Sequence, residues 1–287
     1  SYVAGEKKTL IKLKKKLEKI LSKRLDKIFQ TNKDKPKLIT FFTGCDPTYE
    51  TSLEILKEAA KNGASILEIG YPTSEASAEG PIIKKSHDRV IAQKIGLPKT
   101  IRLAKDLRSS NSSVGIVLMG YISNVFMYSI PKFAKDIAGI VDGVLCVDAP
   151  HEIHEENELR NELKKYDIDL IKLIAPTSGF KRIEEIANLS SGFIYSVNVK
   201  GITGVKKADV NEVSAMIKKI KSFTKTPIVS GFGIKTPEDA KLISKSGCMG
   251  IVIGSTLVDF IEKNINDKKL PQKIGKIVKE FNDILNI

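Results

Sequence analysis

Two glutamates eleven residues apart carry the clearest chemical signal in the sequence. Glu68 lies inside the apolar run SILEIG (65–70), and Glu79 lies on the small-residue loop that follows, directly before Gly80. Desolvation disfavours the charged form of a carboxyl group among apolar side chains, so the pKa of Glu68 should rise toward the range that suits proton transfer near neutral pH. Glu68 is therefore a candidate general acid or base. The alternative is an acid paired with a lysine at the end of a strand.

Glycines in three late loops predict an anion site. The segments are KGITGVKK (200–207), SGFGIKTPE (230–238) and IGSTLVDF (253–260). Glycine allows backbone N–H groups to approach an anion closely, and the N-terminus of a helix adds a partial positive charge. The candidate donors are Gly204, Gly233, Gly254 and Ser255. We expect a substrate that carries a phosphate group.

Eight short apolar runs alternate with amphipathic helical segments, and these elements must position the candidate residues. The predicted strands are KLITFFTG, SILEIG, VGIVLMGY, GVLCVD, LIKLIAP, FIYSVN, PIVSGFG and MGIVIGS. Nearly continuous hydrophobic strands that alternate with helices indicate a parallel sheet buried on both faces. Eight repeats favour a closed (β/α)8 barrel, whose active site forms at the C-terminal ends of the strands. Glu68, Glu79 and the glycine loops all fall at that end.

The charge distribution argues against a nucleic-acid surface. The formal net charge is +13, but residues 1–37 hold 13 Lys/Arg and 4 Asp/Glu, so the remaining chain contributes only about +4. Apolar residues at helical spacing between Leu10 and Phe29 predict a basic amphipathic helix. This helix either lies on a membrane or an acidic partner, or covers one end of the domain. We expect residues 1–23 to form a basic extension and residues 24–287 to form a single barrel domain.

The cellular setting is predicted by the cysteines and by the absence of long apolar runs. Three cysteines lie far apart in apolar runs, without a CxxC pair or a secretory pattern, which is typical of a reducing cytoplasm. No run approaches the roughly 18 apolar residues of a transmembrane helix. His151 and His154 form an HxxH pattern without a clear third ligand, so no metal site is expected.

From about Arg24 to Asn264 the motifs resemble, in order, those of the tryptophan synthase alpha subunit family. FFTGCDP is similar to the first-strand segment of that family, and LEIGYPTSEASAEGP is similar to its second strand and loop. VDGVLCVDAP, IAPTS, GFIYSVNVKGITG, SGFGIKTPE and VIGS follow at family-like spacing. The ordered set is specific, although no single motif decides the resemblance.

The resemblance implies retro-aldol cleavage of indole-3-glycerol phosphate to indole and glyceraldehyde 3-phosphate. By position, Glu68 matches the family's catalytic acid/base, which protonates the indole ring carbon, and Glu79 stands where the family has an aspartate that contacts the indole N–H. Tyr195 matches an active-site tyrosine, Phe41 an indole-pocket phenylalanine, and Thr203 a threonine of the closing loop. No cofactor is implied for this chain. Pyridoxal phosphate is implied for a beta subunit, with which the family forms an alpha2beta2 complex.

Several positions depart from the family pattern. Glu79 is one methylene longer than the usual aspartate, and Ser74–Glu75–Ala76 replaces the usual Ser-Asp-Pro of the partner interface. The loop MGYISNVFMY lacks the usual Asn-Pro, and NVKG stands where a serine is common. Three alternatives therefore stay open: a weakened alpha-like subunit that activates a beta subunit, a free-standing indole-releasing lyase, and another phosphate-binding barrel isomerase or lyase.

Overall fold

The chain folds into a closed barrel of eight parallel strands in the order β1 to β8, with β8 pairing with β1. The structure is a computed structural model that describes residues 23–197, 209–231 and 233–287. The strands are β1 (Lys37–Thr43), β2 (Ile66–Gly70), β3 (Gly115–Gly120), β4 (Gly143–Cys146), β5 (Asp169–Ile174), β6 (Ile194–Val197), β7 (Ile228–Gly231) and β8 (Gly250–Ile253). The (β/α)8 prediction and all eight predicted strands are confirmed.

Twelve helices lie within the described ranges. They are α1 (Arg24–Gln30), α2 (Tyr49–Lys61), α3 (Pro81–Ala92), α4 (Leu97–Ser110), α5 (Ile122–Tyr128), α6 (Ile130–Ile137), α7 (His154–Lys164), α8 (Phe180–Leu189), α9 (Val210–Lys221), α10 (Pro237–Ser244), α11 (Ser255–Lys263) and α12 (Leu270–Leu285). None of these helices is long and apolar enough to cross a membrane.

Alternation along each strand separates two cores. Every second strand residue faces the barrel axis, so an inner cluster forms from side chains of successive strands. The strand residues of that cluster are Ile39, Ile66, Val117, Leu145, Ile171, Tyr195, Val229 and Val252. The residues between them face outward and pack with the helices in a second, larger cluster. The middle of the inner face is therefore filled by apolar side chains from different strands.

Helix α1 closes the N-terminal end of the barrel. Leu25 and Phe29 are 0% and 2% exposed, belong to the inner cluster, and place the Phe29 ring 5.8 Å from the ring of Phe193. Lys23 Nζ lies 2.7 Å from Asp169 Oδ1 at the first residue of β5. The apolar side of α1 thus covers one end of the domain. The rest of the predicted extension, residues 1–22, lies outside the described residues.

Candidate active site

Glu68 is a buried carboxyl group on the inner face of β2. It is the third residue of a five-residue strand, is 1% exposed, and shares the inner face with Ile66. The register places it beside Phe41 of β1. Its Oε1 atom has no hydrogen-bond partner among the described residues, and burial raises the pKa of the carboxyl group to about 8. Glu68 is thus protonated for most of the time at neutral pH.

Tyr195 and Phe41 form the surroundings of Glu68. Burial, with the negative charge of Glu68 as a second cause, holds the pKa of Tyr195 well above its usual value, so the two groups are within electrostatic reach. A Cβ atom at Gly231 would lie 2.1 Å from the Tyr195 hydroxyl oxygen, and one at Gly70 would lie 2.7 Å from Cζ of Phe41. Two glycines therefore make room for the aromatic rings of Tyr195 and Phe41.

Glu79 lies on the loop between β2 and α3, at the C-terminal end of the barrel. Its side chain is only 6% exposed, and its Oε2 atom lies 2.8 Å from Nε2 of His87 on α3. The loop is also held by Tyr121, whose hydroxyl oxygen accepts a hydrogen bond of 3.0 Å from the N–H of Ala78. Helix α3 begins at Pro81, a residue that suits the first helical turn, so the loop ends directly after Glu79.

Two residues of this region were missed by sequence reasoning, His87 and Tyr121. His87 is one of three histidines in the chain, and it follows Glu79 by eight residues inside an amphipathic stretch. A histidine here could have been chosen as a candidate site residue because of its chemistry. Its spacing from Glu79, however, does not show that its ring faces that carboxylate. Tyr121 comes directly after β3, so its place at the active end followed from the strand prediction.

The predicted anion donors lie partly within the structure. Gly254 precedes α11 and Ser255 is its first residue. Leu257 already donates its N–H to the carbonyl of Gly254, so the N–H groups of Ser255 and Thr256 are the ones without a partner inside the helix. A Cβ atom at Gly254 would lie 3.2 Å from Cβ of Phe41, which places this helix start against the aromatic wall beside Glu68. Gly233 has a φ of +75° and open space around it. Thr203 and Gly204 lie outside the described residues.

No cluster of three or more metal-ligating side chains occurs in the part of the chain that the structure describes. His151 instead lies 3.5 Å from carboxylate oxygens of Glu152 and Glu185. A raised-pKa carboxyl group, aromatic walls and a nearby helix start at the C-terminal end of the strands are the features expected of an acid–base enzyme on a (β/α)8 barrel.

Comparison with known proteins identifies the family. The sequence model of the tryptophan synthase alpha chain family matches residues 29–285. The chain is 38% identical over 261 residues to the tryptophan synthase alpha chain of Ruthia magnifica subsp. Calyptogena magnifica, covering 90% of this chain and 97% of that one. It is also 38% identical over 242 residues to the chain of that name from Geotalea uraniireducens (strain Rf4), covering 84% and 89%.

Solved structures agree with the sequence relatives. The crystal structure of tryptophan synthase subunit alpha from Legionella pneumophila str. Paris superposes with a TM-score of 0.83 at 27% identity, covering 92% of this chain and 99% of that one. The chain therefore belongs to the tryptophan synthase alpha chain family and is a lyase of that class. The resemblance stated from the motifs is confirmed.

Proposed function

We propose that this chain cleaves indole-3-glycerol phosphate to indole and glyceraldehyde 3-phosphate, with Glu68 as the acid/base. The observation that carries the proposal is a fully buried carboxyl group with a pKa raised to about 8 beside two aromatic rings. Family membership supplies the reaction class. The assignment of roles to individual residues is our proposal.

The raised pKa suits both proton transfers that Glu68 must make. At neutral pH the protonated carboxyl group donates its proton to the ring carbon that bears the glycerol chain. The resulting carboxylate then removes the proton of the hydroxyl group on the glycerol carbon that is bonded to the ring. The carbon–carbon bond breaks, and the electron pair of that bond returns to the indole ring. The acid is regenerated in its starting form. General acid–base catalysis of this kind contributes about 10²–10⁴-fold to a rate.

Glu79 acts on the other side of the ring in this proposal. Protonation at carbon makes the ring N–H more acidic, and a carboxylate that accepts its hydrogen bond stabilises that state. Tyr195 and Phe41 line the slot, and the shared burial of these rings supports an apolar substrate. Gly233, Gly254 and Ser255, together with Gly204, hold the phosphate, and Thr203 helps to close the site over the substrate. The helix start at Ser255 supports that assignment because helix N-termini favour anions.

We further propose a tryptophan synthase beta subunit as the partner, in an alpha2beta2 complex in the cytoplasm, with pyridoxal phosphate bound by the beta subunit. Phe126 and Met127 on α5 are 59% and 85% exposed, directly after β3 at the active end of the barrel. Adjacent exposed apolar side chains of this size support a contact surface. The three cysteines are all free, which supports a reducing compartment.

Release of indole from indole-3-glycerol phosphate tests the proposal. The purified chain, with and without a beta subunit, is compared with Glu68→Gln and with Glu54→Gln, a matched change at an exposed ion pair on α2. We expect Glu68→Gln to lower kcat by at least about a hundredfold. Glu54→Gln should be unchanged. In the wild type, kcat/KM should fall above about pH 8, where Glu68 loses its proton.

The outcomes separate the alternatives. Activity that increases with a beta subunit supports the complete proposal, whereas full activity alone favours a free-standing lyase. A wild-type chain that releases no indole but activates a beta subunit would refute catalysis by this chain. Equal activity of wild type and Glu68→Gln would refute the role of Glu68.

A further inference from the structure

The loop that carries Glu79 is clamped at two points by one imidazole ring. The backbone N–H of Thr73, near the start of the loop, donates a hydrogen bond of 3.1 Å to Nδ1 of His87. The other ring nitrogen, Nε2, lies 2.8 Å from Oε2 of Glu79, near the end of the loop. The ring is 0% exposed. His87 therefore contacts both ends of the loop, with Nδ1 at Thr73 and Nε2 at Glu79.

The Thr73 contact determines which nitrogen carries the proton. A backbone N–H can only donate, so Nδ1 must act as an acceptor. The proton of the neutral ring is then on Nε2, the nitrogen that faces the Glu79 carboxylate. The neutral ring thus carries its proton on the nitrogen that lies 2.8 Å from Oε2 of Glu79, a close polar contact that falls outside hydrogen-bond geometry in this structure. The loop backbone, and not a side-chain partner, sets this tautomer.

Helix α3 gives the ring a fixed base. Ser86, the residue before His87, lies with its Oγ atom 2.5 Å from Oγ1 of Thr43 at the end of β1. Arg89, two residues after His87, donates hydrogen bonds of 3.0 and 2.8 Å to the two carboxylate oxygens of Asp46. The turn of helix that carries His87 is therefore tied to the barrel on both sides.

Other titratable groups also surround Glu79. The hydroxyl groups of Tyr71 and Tyr121 lie close enough to Glu79 for its negative charge to contribute to their raised pKa values, after burial as the main cause. Tyr121 already accepts the N–H of Ala78. Among the described residues, Oε2 of Glu79 is the oxygen in contact with His87, so Oε1 is the one left for a substrate.

We propose that His87 is a positioning residue for Glu79: Nε2 holds Oε2 of the longer carboxylate, so that Oε1 faces the N–H group of the substrate ring. The proposal rests on the proposed function of Glu79. It also accounts for a glutamate at this position, because the imidazole fixes the extra methylene that would otherwise allow the carboxylate to move. A misplacement of about 1 Å can lower a rate by about a hundredfold.

Two conservative variants separate the two contacts of the ring. In His87→Asn, the side-chain oxygen lies at about the distance of Nδ1 and can still accept from Thr73, but no group reaches Glu79. In His87→Gln, the side-chain NH₂ group lies at about the distance of Nε2 and can still donate to Glu79, but the acceptor for Thr73 is lost. We expect His87→Asn to lower kcat for indole release by about ten- to a hundredfold with little change in KM. His87→Gln should retain most of kcat, and a lower kcat for Gln than for Asn would overturn the proposal.

A double-mutant cycle tests whether the effect passes through Glu79. In a Glu79→Ala background, His87→Asn should cause no further loss of kcat, because the carboxylate that it positions is already gone. An equal loss in both backgrounds would show a general structural role and would overturn the proposal. Unfolding of each variant in urea corrects for any difference in the folded fraction.

The ¹⁵N shifts of the histidine rings provide a readout that does not need activity. The chain has three histidines, and His87→Asn assigns the signals of His87. We expect a proton on Nε2 of His87 in the wild type and a shift of that signal in Glu79→Gln. A proton on Nδ1, or no response to Glu79→Gln, would overturn the clamp. If the wild type releases no indole, the proposed function fails, and these spectra alone decide whether His87 holds Glu79.

Discussion

At the N-terminal end of the barrel the carboxylate of Asp142 lies between two arginines, whereas near the C-terminal end Glu68 lies beside Phe41 and within electrostatic reach of Tyr195. Asp142 Oδ2 accepts hydrogen bonds from Arg108 Nη2 (2.7 Å) and from the N–H of Ile116 (2.8 Å), and Oδ1 accepts one from Arg24. For Glu68, burial is the influence that sets the pKa, and Oε1 has no partner among the described residues.

This difference shows how one barrel divides its tasks. Paired charges and the aromatic plug of α1 stabilise the closed end, so substitutions there should lower stability and leave chemistry unchanged. At the open end a carboxyl group is buried with no cation paired to it among the described residues, which costs stability at higher pH and leaves the group protonated near neutrality. The following experiments test this division.

The largest effect on stability is expected from the plug. Phe29→Ala removes a ring that is 2% exposed and packed against Phe193, so it should lower the free energy of unfolding by about 3–5 kcal/mol. Urea denaturation measures the loss. The kcat of the folded fraction should not change, because Phe29 lies at the opposite end from Glu68. Phe126→Ala, at a side chain that is 59% exposed, serves as the control and should cost less than about 0.5 kcal/mol.

Glu68→Gln should change stability in the opposite direction, and the change should depend on pH. The pKa of Glu68 is raised from 4.5 to about 8 in the folded state, so the folded chain binds the proton more tightly than the unfolded chain. This contribution to stability is complete below pH 4.5 and is lost as the pH rises toward 8. Relative to wild type, the variant should gain about 3 kcal/mol between pH 5 and pH 8. A constant difference across this range would contradict the burial of an unpaired acid.

The smallest effect is expected at Asp142. Asp142→Asn removes the charge between Arg24 and Arg108, whose side chains are 30% and 11% exposed, and should cost about 1–3 kcal/mol in urea unfolding. Indole release by the folded fraction should stay at the wild-type level. The exposed pair of Glu54 and Lys57 provides a matched comparison, since breaking it should cost less than about 1 kcal/mol. Equal losses at both sites would mean that the closed end is not stabilised by its buried charges.

The strands were predictable because each one is apolar on both faces, and a helical segment separates most of them. Helices α5 and α12 were not predicted. Helix α5 has only seven residues and is rich in aromatic and β-branched side chains, so its local signal is weak. Helix α12 carries a clear apolar stripe, from Leu270 through Ile274 and Val278 to Phe281, which could have predicted it.

The sequence by itself indicated that Glu68 is buried near the active end, because a strand of a parallel sheet is covered on both faces and Glu68 lies near the end of its apolar run. It also determined that Glu79 follows on a loop at the same end. Only the tertiary structure decided that His87 faces Glu79 and that Gly231 makes room for Tyr195. The same holds for α1, which closes the N-terminal end of the barrel. The physical reason is that these contacts join side chains from separate elements, whose relative rotation depends on the packing of the whole barrel and not on any local pattern.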